Sequence, residues 1–283
     1  MSDHAFLFPR HDDWRFAPSI LLRSALFGAL PPGKARKVCG PKTPSEITTV
    51  KSISIKMLDG PMFDQGDLDV LLAIVDEAAI RDEDSGKPVT ELSLPMRGLL
   101  FALNRPDGGK NRTWLLDSLM RLGQSQLTCK STGKVSASTE LGRLISVRAD
   151  TCSAQITINN NLRDLYKAGY TGINWVERQQ LSPLGKWMHA FYSSHGREPL
   201  PLKVQTIRRL SGRAQDAMGM ASKFGDTLAA ELEQLAAVTN WQWAIEEGKV
   251  VVVKPDDGIG GNGKTVADYR ARLEGGEWDG EEI

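Results

Sequence analysis

Cysteine and histidine are scarce in this sequence of 283 residues, which contains 3 Cys and 4 His. Cys39, Cys129 and Cys152 lie far apart, so they offer neither a disulfide framework nor the short ligand spacing of a zinc site. The histidines are equally scattered, and no nucleophile, general base or metal cluster can be assembled by spacing. Because no such cluster can be assembled, we expect a protein that is not an enzyme and holds no cofactor. Reduced cysteines are typical of the cytoplasm, so we expect the protein to be cytoplasmic.

Long apolar runs are also missing. No stretch approaches the ~20 apolar residues that span a bilayer. The polar N-terminus lacks the charged-then-apolar order of a signal peptide. Hydrophobic residues make up 41% of the chain and charged residues 25%, which is typical of a globular protein. We expect no membrane partner, and the length leaves room for two domains of ordinary size.

An excess of one charge is absent as well, because 35 Lys and Arg balance 35 Asp and Glu. The cations are nevertheless clustered. Residues 97–134 hold seven Lys or Arg against Asp107 and Asp117, and residues 203–223 hold five against Asp216. Screening limits repulsion from distant carboxylates to about a Debye length, ~8–10 Å, so such clusters still attract phosphate. Local charge therefore favours a nucleic-acid partner.

The first basic cluster coincides with a predicted helix that runs into a hairpin. In the segment Lys110–Leu122, a 100° advance per residue gathers the leucines on one face and a narrow polar, mostly basic stripe on the other. That stripe contains Lys110, Thr113, Asp117 and Arg121. Trp114 lies toward the polar side, where we expect it to pack on a neighbouring element. Strand-like Gln126–Ser131, a Thr-Gly-Lys turn and a second strand follow.

The second basic cluster shows the same order of elements. Val204–Leu210 is a predicted helix ended by Ser211-Gly212, and Ala221–Ala236 is the candidate recognition helix. Its predicted buried stripe is Phe224, Leu228, Leu232 and Leu235, and its predicted outer face is Lys223, Asp226, Thr227 and Ala230. Alternating residues after Trp241 predict a hairpin with Glu247-Gly248 at its tip. Helix, helix and hairpin in this order predict a winged helix.

Two such units predict an α+β fold with tandem winged-helix domains. We place a flexible segment at residues 1–45, the first winged helix at 46–165, the second at 166–255 and a flexible acidic tail at 256–283. Residues 1–45 look loosely structured because prolines and glycines punctuate them. Single strands are predicted over Ile47–Leu58 and about Leu141–Val147, and a helix over Asp67–Ile80.

One motif points to a different function. Gly258–Thr265 fits the P-loop pattern G-x-x-x-x-G-K-[ST], in which backbone N–H groups cradle a phosphate. The strand before it is already half of a predicted antiparallel hairpin, whereas P-loop strands belong to parallel sheets. Only 18 residues follow Thr265, too few to complete such a domain. A flexible link to the acidic tail is the simpler interpretation, and a nucleotide hydrolase is kept as an alternative.

Several separated motifs, in the right order, resemble the TrfA-type plasmid replication initiators over roughly residues 15–255. They are Arg23–Gly28, Asp64–Val70, Gly108–Arg112 with Trp114-Leu115, His189–His195 and Pro201–Val204. The resemblance implies a protein with two winged helices that binds repeated sites, called iterons, in a plasmid origin. It also implies that the protein assists melting of AT-rich DNA and recruits the host initiator, replicative helicase and sliding clamp. Monomers are expected to be active and dimers largely inactive in copy control.

The resemblance and the charge pattern together predict the residues that contact DNA. The residues on the two recognition helices and their flanks are Lys110, Asn111, Arg112, Thr113, Arg121, Lys223 and Thr227. The predicted wing residues are Lys130, Lys134 and Lys249. Arg208, Arg209 and Arg213 are expected to touch the DNA backbone or to form a solvated basic face. Family members are richly basic after the Lys-Phe pair, where this chain has Gly225 and Asp226, so the second helix is expected to contribute differently.

The resemblance also implies a clamp-binding peptide near the N-terminus. Leu7 and Phe8 stand in the corresponding place and could fill an apolar groove of the sliding clamp. A disordered apolar end is the alternative. At the level of the whole protein, a plasmid-encoded winged-helix transcription regulator with the same DNA-binding units is the main alternative to a replication initiator.

Overall fold

The computed structural model describes residues 6–31, 34–131, 138–213 and 221–255. The N-terminal part has β1 (Trp14–Pro18), α1 (Ser19–Leu22), β2 (Phe27–Gly28), β3 (Val38–Cys39), β4 (Ser45–Ile47), β5 (Ile53–Pro61), β6 (Phe63–Asp64), α2 (Gln65–Ser85), β7 (Glu91–Pro95), α3 (Met96–Ala102) and α4 (Gly109–Gln124). The chain continues with β8 (Gln126–Ser131), β9 (Ser138–Gly142), β10 (Ile145–Ala149), β11 (Ser153–Ile158), α5 (Asn160–Lys167) and β12 (Tyr170–Asn174). The C-terminal part has α6 (Trp175–Gln179), α7 (Pro183–Ser193), β13 (Leu202–Lys203), α8 (Val204–Leu210), α9 (Ala221–Thr239), β14 (Gln242–Glu246) and β15 (Lys249–Val253). Helices alternate with small, mostly antiparallel sheets, as the predicted α+β class requires.

The long helix α2 is the centre of the N-terminal part. It begins with a capping box, in which the Asp64 carboxylate accepts from the Asp67 N–H and the Asp67 carboxylate accepts from the Asp64 N–H. It ends at Gly86, whose φ of 62° suits a residue without a side chain. Its buried residues lie all around the axis rather than on one stripe. The helix is therefore enclosed by its neighbours and extends beyond the predicted Asp67–Ile80.

Two predicted single strands are each divided in the structure. The segment 47–58 contains the end of β4 and most of β5, which pair antiparallel, so the chain turns back between them. The segment 141–147 breaks after Gly142, whose φ of 57° is left-handed. As a result β9 pairs with β8, whereas β10 joins the sheet β10-β11-β7. Alternation alone could not reveal these turns, and both predictions of an unbroken strand are wrong.

The described residues of the N-terminal segment, 6–31 and 34–45, are folded, contrary to the expectation of a flexible segment at residues 1–45. Strand β1 pairs antiparallel with β12, over the register Trp14↔Asn174 to Pro18↔Tyr170. Leu26 is fully buried, and the Phe27 ring stacks on Phe63 with centroids 5.2 Å apart. The many apolar residues of this segment fill the core despite its prolines and glycines. The proposed domain boundaries themselves remain predictions.

The C-terminal part has its own core around Trp187, Met188 and the buried face of α9. Several hydrogen bonds join it to the N-terminal part. The Trp187 indole donates to the Ser24 carbonyl at 3.2 Å, and the Ala29 N–H donates to the Ser211 carbonyl at 2.8 Å. Both parts are therefore fixed to the same N-terminal segment. Among the described residues, no helix is long and apolar enough to cross a membrane.

Candidate nucleic-acid interface

Helix α4 exposes one continuous, mostly polar face, which includes Lys110, Thr113 and Asp117 of the predicted stripe. Leu115, Leu119 and Leu122 are fully buried. The exposed positions follow the helical spacing of three and four residues: Lys110, Thr113, Asp117, Met120 and Gln124. The Thr113 hydroxyl donates to the Gly109 carbonyl at 3.0 Å, which leaves its methyl group and an acceptor oxygen outside. This face could lie in a major groove.

The first turn of α4 is held by two of the predicted DNA-contacting residues. Arg112 donates to both carboxylate oxygens of Asp107, at 2.6 and 2.8 Å, and to the Thr151 carbonyl at 2.8 Å. The hydrogen bond from Arg112 lowers the pKa of Asp107. The Asn111 amide donates to the Pro106 carbonyl at 2.7 Å. Both residues are half-exposed, and apart from Thr151, which lies between β10 and β11, the partners named here belong to the turn that precedes the helix.

Trp114 packs on a neighbouring element, as expected. The Arg105 guanidinium lies 3.7 Å from the centroid of its ring, a cation–π contact. On the other side the indole touches Gly66, where a Cβ would approach Cζ2 to 3.1 Å. The absence of a side chain at Gly66 therefore lets α4 dock on the start of α2.

Arg121 does not belong to the exposed face, and this prediction of its position is corrected. Its Nη2 donates to Asp67 Oδ1 at 2.8 Å, and its Nε donates to the same carboxylate. Asp67 is fully buried and also accepts from Ser118 at 2.6 Å and from Arg36 at 3.1 Å. A buried carboxylate needs such partners. The 100° wheel placed Arg121 near the edge of the stripe, where α2 covers it.

Helix α9 has the arrangement that the sequence predicts. Phe224, Leu228, Leu232 and Leu235 are buried. The opposite side exposes Lys223, Asp226, Thr227 and Ala230. The Thr227 hydroxyl donates to the Lys223 carbonyl at 3.1 Å. In this exposed set Lys223 is the cation and Asp226 the anion, so the face carries little net charge.

Three arginines surround the end of α8. Arg209 is exposed, Arg208 is half-buried and both belong to the last turn, where cations interact favourably with the helix dipole. The Arg213 guanidinium lies 5.7 Å from the centroid of the Phe224 ring. This contact links the end of α8 to the first turn of α9.

The two predicted hairpins are present, but their lysines differ in exposure. Lys130 is exposed on β8, and Lys249 is half-buried on β15, opposite Lys203 of β13. Glu247 and Gly248 connect β14 to β15 with φ angles of 49° and 74°, as a two-residue turn with both angles positive requires. Lys134 lies outside the described residues, as does the P-loop-like segment 258–265.

Phe8 is part of the core, which corrects the expectation of a free apolar end. It is 4% exposed, and its ring meets Tyr166 edge-on with centroids 4.9 Å apart. The Arg163 guanidinium lies 3.9 Å from the centroid of the Phe8 ring. The backbone N–H of Phe8 donates to Asp82 Oδ2 at 2.9 Å. Leu7 is 37% exposed. Of the two residues predicted to bind the clamp, Leu7 is accessible in this conformation and Phe8 is not.

The scattered histidines and acidic residues are a further set of possible metal ligands. The part of the chain that the structure describes contains no group of three or more His, Cys, Asp or Glu that could hold a metal ion. His189 is buried and lies 3.1 Å from Glu177 Oε2. Burial lowers its pKa. It is a packed histidine.

Comparison with known proteins identifies the family. Residues 13–240 match the family described as TrfA protein, which is more than half of the chain. The chain belongs to the TrfA family of plasmid replication initiators. The matched range includes α4, its hairpin, α8 and α9, so the candidate interface lies within the TrfA region of the chain. The role in initiation of DNA replication follows from this membership.

Solved structures of RctB share the fold of this TrfA-family chain. A crystal structure of selenomethionine derivatives of RctB domains 2 and 3 superposes with a TM-score of 0.55 at 14% identity, covering 84% of this chain and 98% of that chain. A structure of RctB domains 2–3, residues 155–483, gives 0.50 at 13% identity, covering 84% and 97%. At identities this low, the two superpositions show a shared fold and nothing about function. No curated protein matches the chain.

Sequence reasoning missed the arginines on the open sheet of the TrfA region. Arg143 and Arg148 are exposed beside the C-terminal end of α4. The alternation of Ser146 and Arg148 with Ile145 and Val147 was a usable signal, because alternate residues of a strand share a face. The predicted strand ended at Val147, before Arg148, and the break after Gly142 was not foreseen.

Proposed function

We propose that this chain initiates plasmid replication by binding directly repeated duplex sites, the iterons, through two winged-helix units. The observation that carries the proposal is the matching surroundings of α4 and α9. Each helix buries an apolar face, exposes a polar face with a lysine near its start, and is followed by an antiparallel hairpin. In a family of plasmid replication initiators, this pair supports contact with two segments of one duplex.

Base contacts and phosphate contacts come from different residues in this proposal. Lys110 and Thr113 of α4 and Thr227 of α9 face outward and meet base edges in the major grooves. Lys130, Lys134, Lys223 and Lys249 contact phosphates beside them, with Arg208, Arg209 and Arg213. Asn111 and Arg112 reach DNA by exchanging their contacts in the preceding turn for contacts with bases. Arg121 acts indirectly, by fixing α4 to α2.

The two recognition helices contribute unequally. Both exposed faces carry a lysine and a carboxylate, but Asp117 of α4 lies two turns beyond Lys110, whereas Asp226 of α9 lies within one turn of Lys223. Arg105 on the preceding turn adds a cation beside the start of α4. A carboxylate close to the DNA backbone repels phosphate. We therefore assign most of the sequence-specific affinity to the first unit, with the second unit setting register along the repeat.

Opening of the adjacent AT-rich DNA follows from deformation of the duplex and from host factors in this proposal. The initiator recruits the host initiator and the replicative helicase, and self-association into dimers limits copy number. Leu7 and Phe8 bind the sliding clamp once the segment around Phe8 leaves its site in the core. The protein acts in the cytoplasm, on plasmid DNA.

Two experiments test this function, and a third tests the nucleotide-hydrolase alternative. Footprinting on the origin of the protein's own plasmid should give protection repeated at a fixed helical spacing, whereas protection of one isolated site opposes tandem iteron binding. A plasmid that carries only the origin should replicate when the protein is supplied in trans. Repeated protection without replication favours the transcription regulator. The Lys264→Ala variant should support replication of this plasmid as well as wild type does. If wild type hydrolyses ATP and Lys264→Ala does not, the P-loop alternative is supported instead.

A further inference from the structure

A groove of about 600 Å³ lies between the C-terminal half of α4 and the sheet β10-β11-β7. Met120, Gly123 and Gln124 of α4 form one wall, and the edge strand β10 forms another. Val147 packs on Gly123, where an added Cβ would come within 3.1 Å of the valine Cβ. This close contact between helix and edge strand fixes the position of the groove.

The charges that line the groove are predominantly positive. Arg143 and Arg148 are exposed there, and neither makes an ion pair with any residue in the described part of the chain. Glu91 is the anionic residue of the lining. It lies on β7, in a row with Thr157 and Ser146, whereas Arg148 lies in the next row opposite Gln155. The two guanidinium groups are thus available to an anionic ligand.

The backbone under both arginines is well supported. The Arg143 carbonyl accepts a hydrogen bond from the Asn159 amide at 2.6 Å, at the start of α5. Arg148 stands on a paired strand, and the neighbouring Gln155 amide donates to the Ser93 hydroxyl at 2.7 Å. Preorganised cations lose less entropy when they bind phosphate than cations on mobile loops.

The groove continues the exposed face of α4. Met120 and Gln124 belong both to that face and to the groove wall. From Lys110 to Gln124 the helix rises about 21 Å, at ~1.5 Å per residue. The major groove is only ~12 Å wide. A helix that enters the groove by its N-terminal end and crosses it would extend beyond the bases, so its C-terminal end would meet the phosphate backbone.

We propose that Arg143 and Arg148 bind phosphates of the duplex backbone beside the major groove that α4 occupies. This inference rests on the proposed function, because it takes α4 as a recognition helix. The arginines supply affinity and fix the angle of the helix, and they do not read sequence. Charge complementarity and continuity with the α4 face favour double-stranded DNA as the occupant.

The test measures binding of the full chain to a labelled iteron duplex and to a shuffled duplex, over a series of salt concentrations. Combined Arg143→Ala and Arg148→Ala should weaken both complexes by roughly tenfold and lower the salt slope by about 1.8, since each lost phosphate contact removes ~0.9. The arginines replaced by lysine should keep the slope. Glu91→Gln should strengthen both complexes. Lys167→Ala, which removes an exposed cation of α5, is the matched control and should leave affinity unchanged.

The outcomes separate this inference from the proposed function. Equal affinity and salt slope for wild type and the double alanine variant overturn the groove as a phosphate site, even if wild type binds iterons tightly. A loss confined to the iteron duplex also overturns it, because phosphate contacts are shared by all sequences. Wild type that binds no duplex at all refutes both proposals. A urea midpoint equal to that of wild type establishes that the variant is folded.

Discussion

Arg178 donates from Nε to Asp69 Oδ1 at 2.7 Å, and through this pair α6 is joined to the central helix α2. Arg178 is fully buried and also donates to the Gln65 side chain at 2.9 Å and to the Lys186 carbonyl at 3.0 Å. A buried guanidinium with this many partners fixes a single arrangement of the elements around it. Arg178 is therefore one of the side chains that hold the C-terminal part against α2, together with Lys186, which also donates to Asp69.

Replacement of Arg178 by alanine should destabilise the protein by about 3–5 kcal/mol, because it leaves Asp69 buried with fewer partners. Urea denaturation followed by circular dichroism measures the change. The control Lys167→Ala removes an exposed pair with Asp164 and should shift stability by less than about 1 kcal/mol. A loss for Arg178→Ala as small as that of the control contradicts the structural role.

Arg121 and Lys110 should differ in what their substitution changes. Arg121→Gln removes a partner of the buried Asp67, so it should lower the free energy of unfolding by about 3 kcal/mol. Lys110→Ala should leave stability within about 0.5 kcal/mol of wild type, since Lys110 is exposed, and should weaken iteron binding. Urea denaturation and fluorescence anisotropy on the same samples check both variants. The assignment fails if Arg121→Gln alters affinity alone.

Arg112→Ala should weaken iteron binding by about 1–3 kcal/mol if this residue reads a base. The variant Asp107→Asn separates base reading from support of the turn, because it removes the partner and keeps the guanidinium. Reading of a base predicts that Asp107→Asn binds as tightly as wild type in a salt titration. Equal losses in the two variants would assign Arg112 to the turn instead.

Phe8→Ala should destabilise the protein by about 3 kcal/mol, because a large side chain leaves a packed site beside Tyr166 and Arg163. Leu7→Ala should have little effect on stability, given its partial exposure. Thermal unfolding of both variants measures this difference. If the clamp binds this segment, added host sliding clamp should increase hydrogen exchange of the Phe8 amide. Protection that stays constant at saturating clamp opposes the proposal.

Stability should fall as the pH is lowered from about 6.5 to about 4. Burial lowers the pKa of His195 to about 4, while the unfolded chain has an ordinary value near 6.5. Between pH 6.5 and pH 4 the unfolded state therefore binds a proton that the folded state does not. The free energy of unfolding falls over this range, and it levels off below pH 4, where the histidine is protonated in both states. The loss is at most about 3 kcal/mol. Urea midpoints of wild type and His195→Gln should converge toward pH 4; parallel curves contradict this assignment.

Helices were the most predictable part of the fold. The bounds of α8 and the buried stripe of α9 follow directly from the spacing of apolar residues. Likewise the predicted Glu247-Gly248 turn is present, because few residues accept two consecutive positive φ angles. These features depend on local sequence alone. The family resemblance added the function, which the neutral net charge did not reveal.

Features that depend on distant partners could not be predicted. Phe8 and Arg121 are placed by Asp82 and Asp67, which lie 74 and 54 residues away. The first contact is a backbone hydrogen bond and the second an ion pair, and neither leaves a periodic signal in the sequence. Similarly, the order of the short strands in the N-terminal part depends on pairing between segments that are far apart in the sequence. Residues 1–45 were expected to be flexible because of their prolines and glycines, which do not reveal the contacts that the described part of this segment makes with the core.

The pairing of β1 with β12 has a consequence for synthesis of the protein. Residues 14–18 leave the ribosome long before their partners at 170–174 exist. At roughly 5–20 residues per second, the wait is about 8–30 s. During that interval the backbone groups of the first strand are bonded only to water, and a neighbouring nascent chain could pair with them. Translation of this initiator therefore includes an aggregation-prone window that closes when residue 174 emerges, and C-terminal truncations before that point should be insoluble.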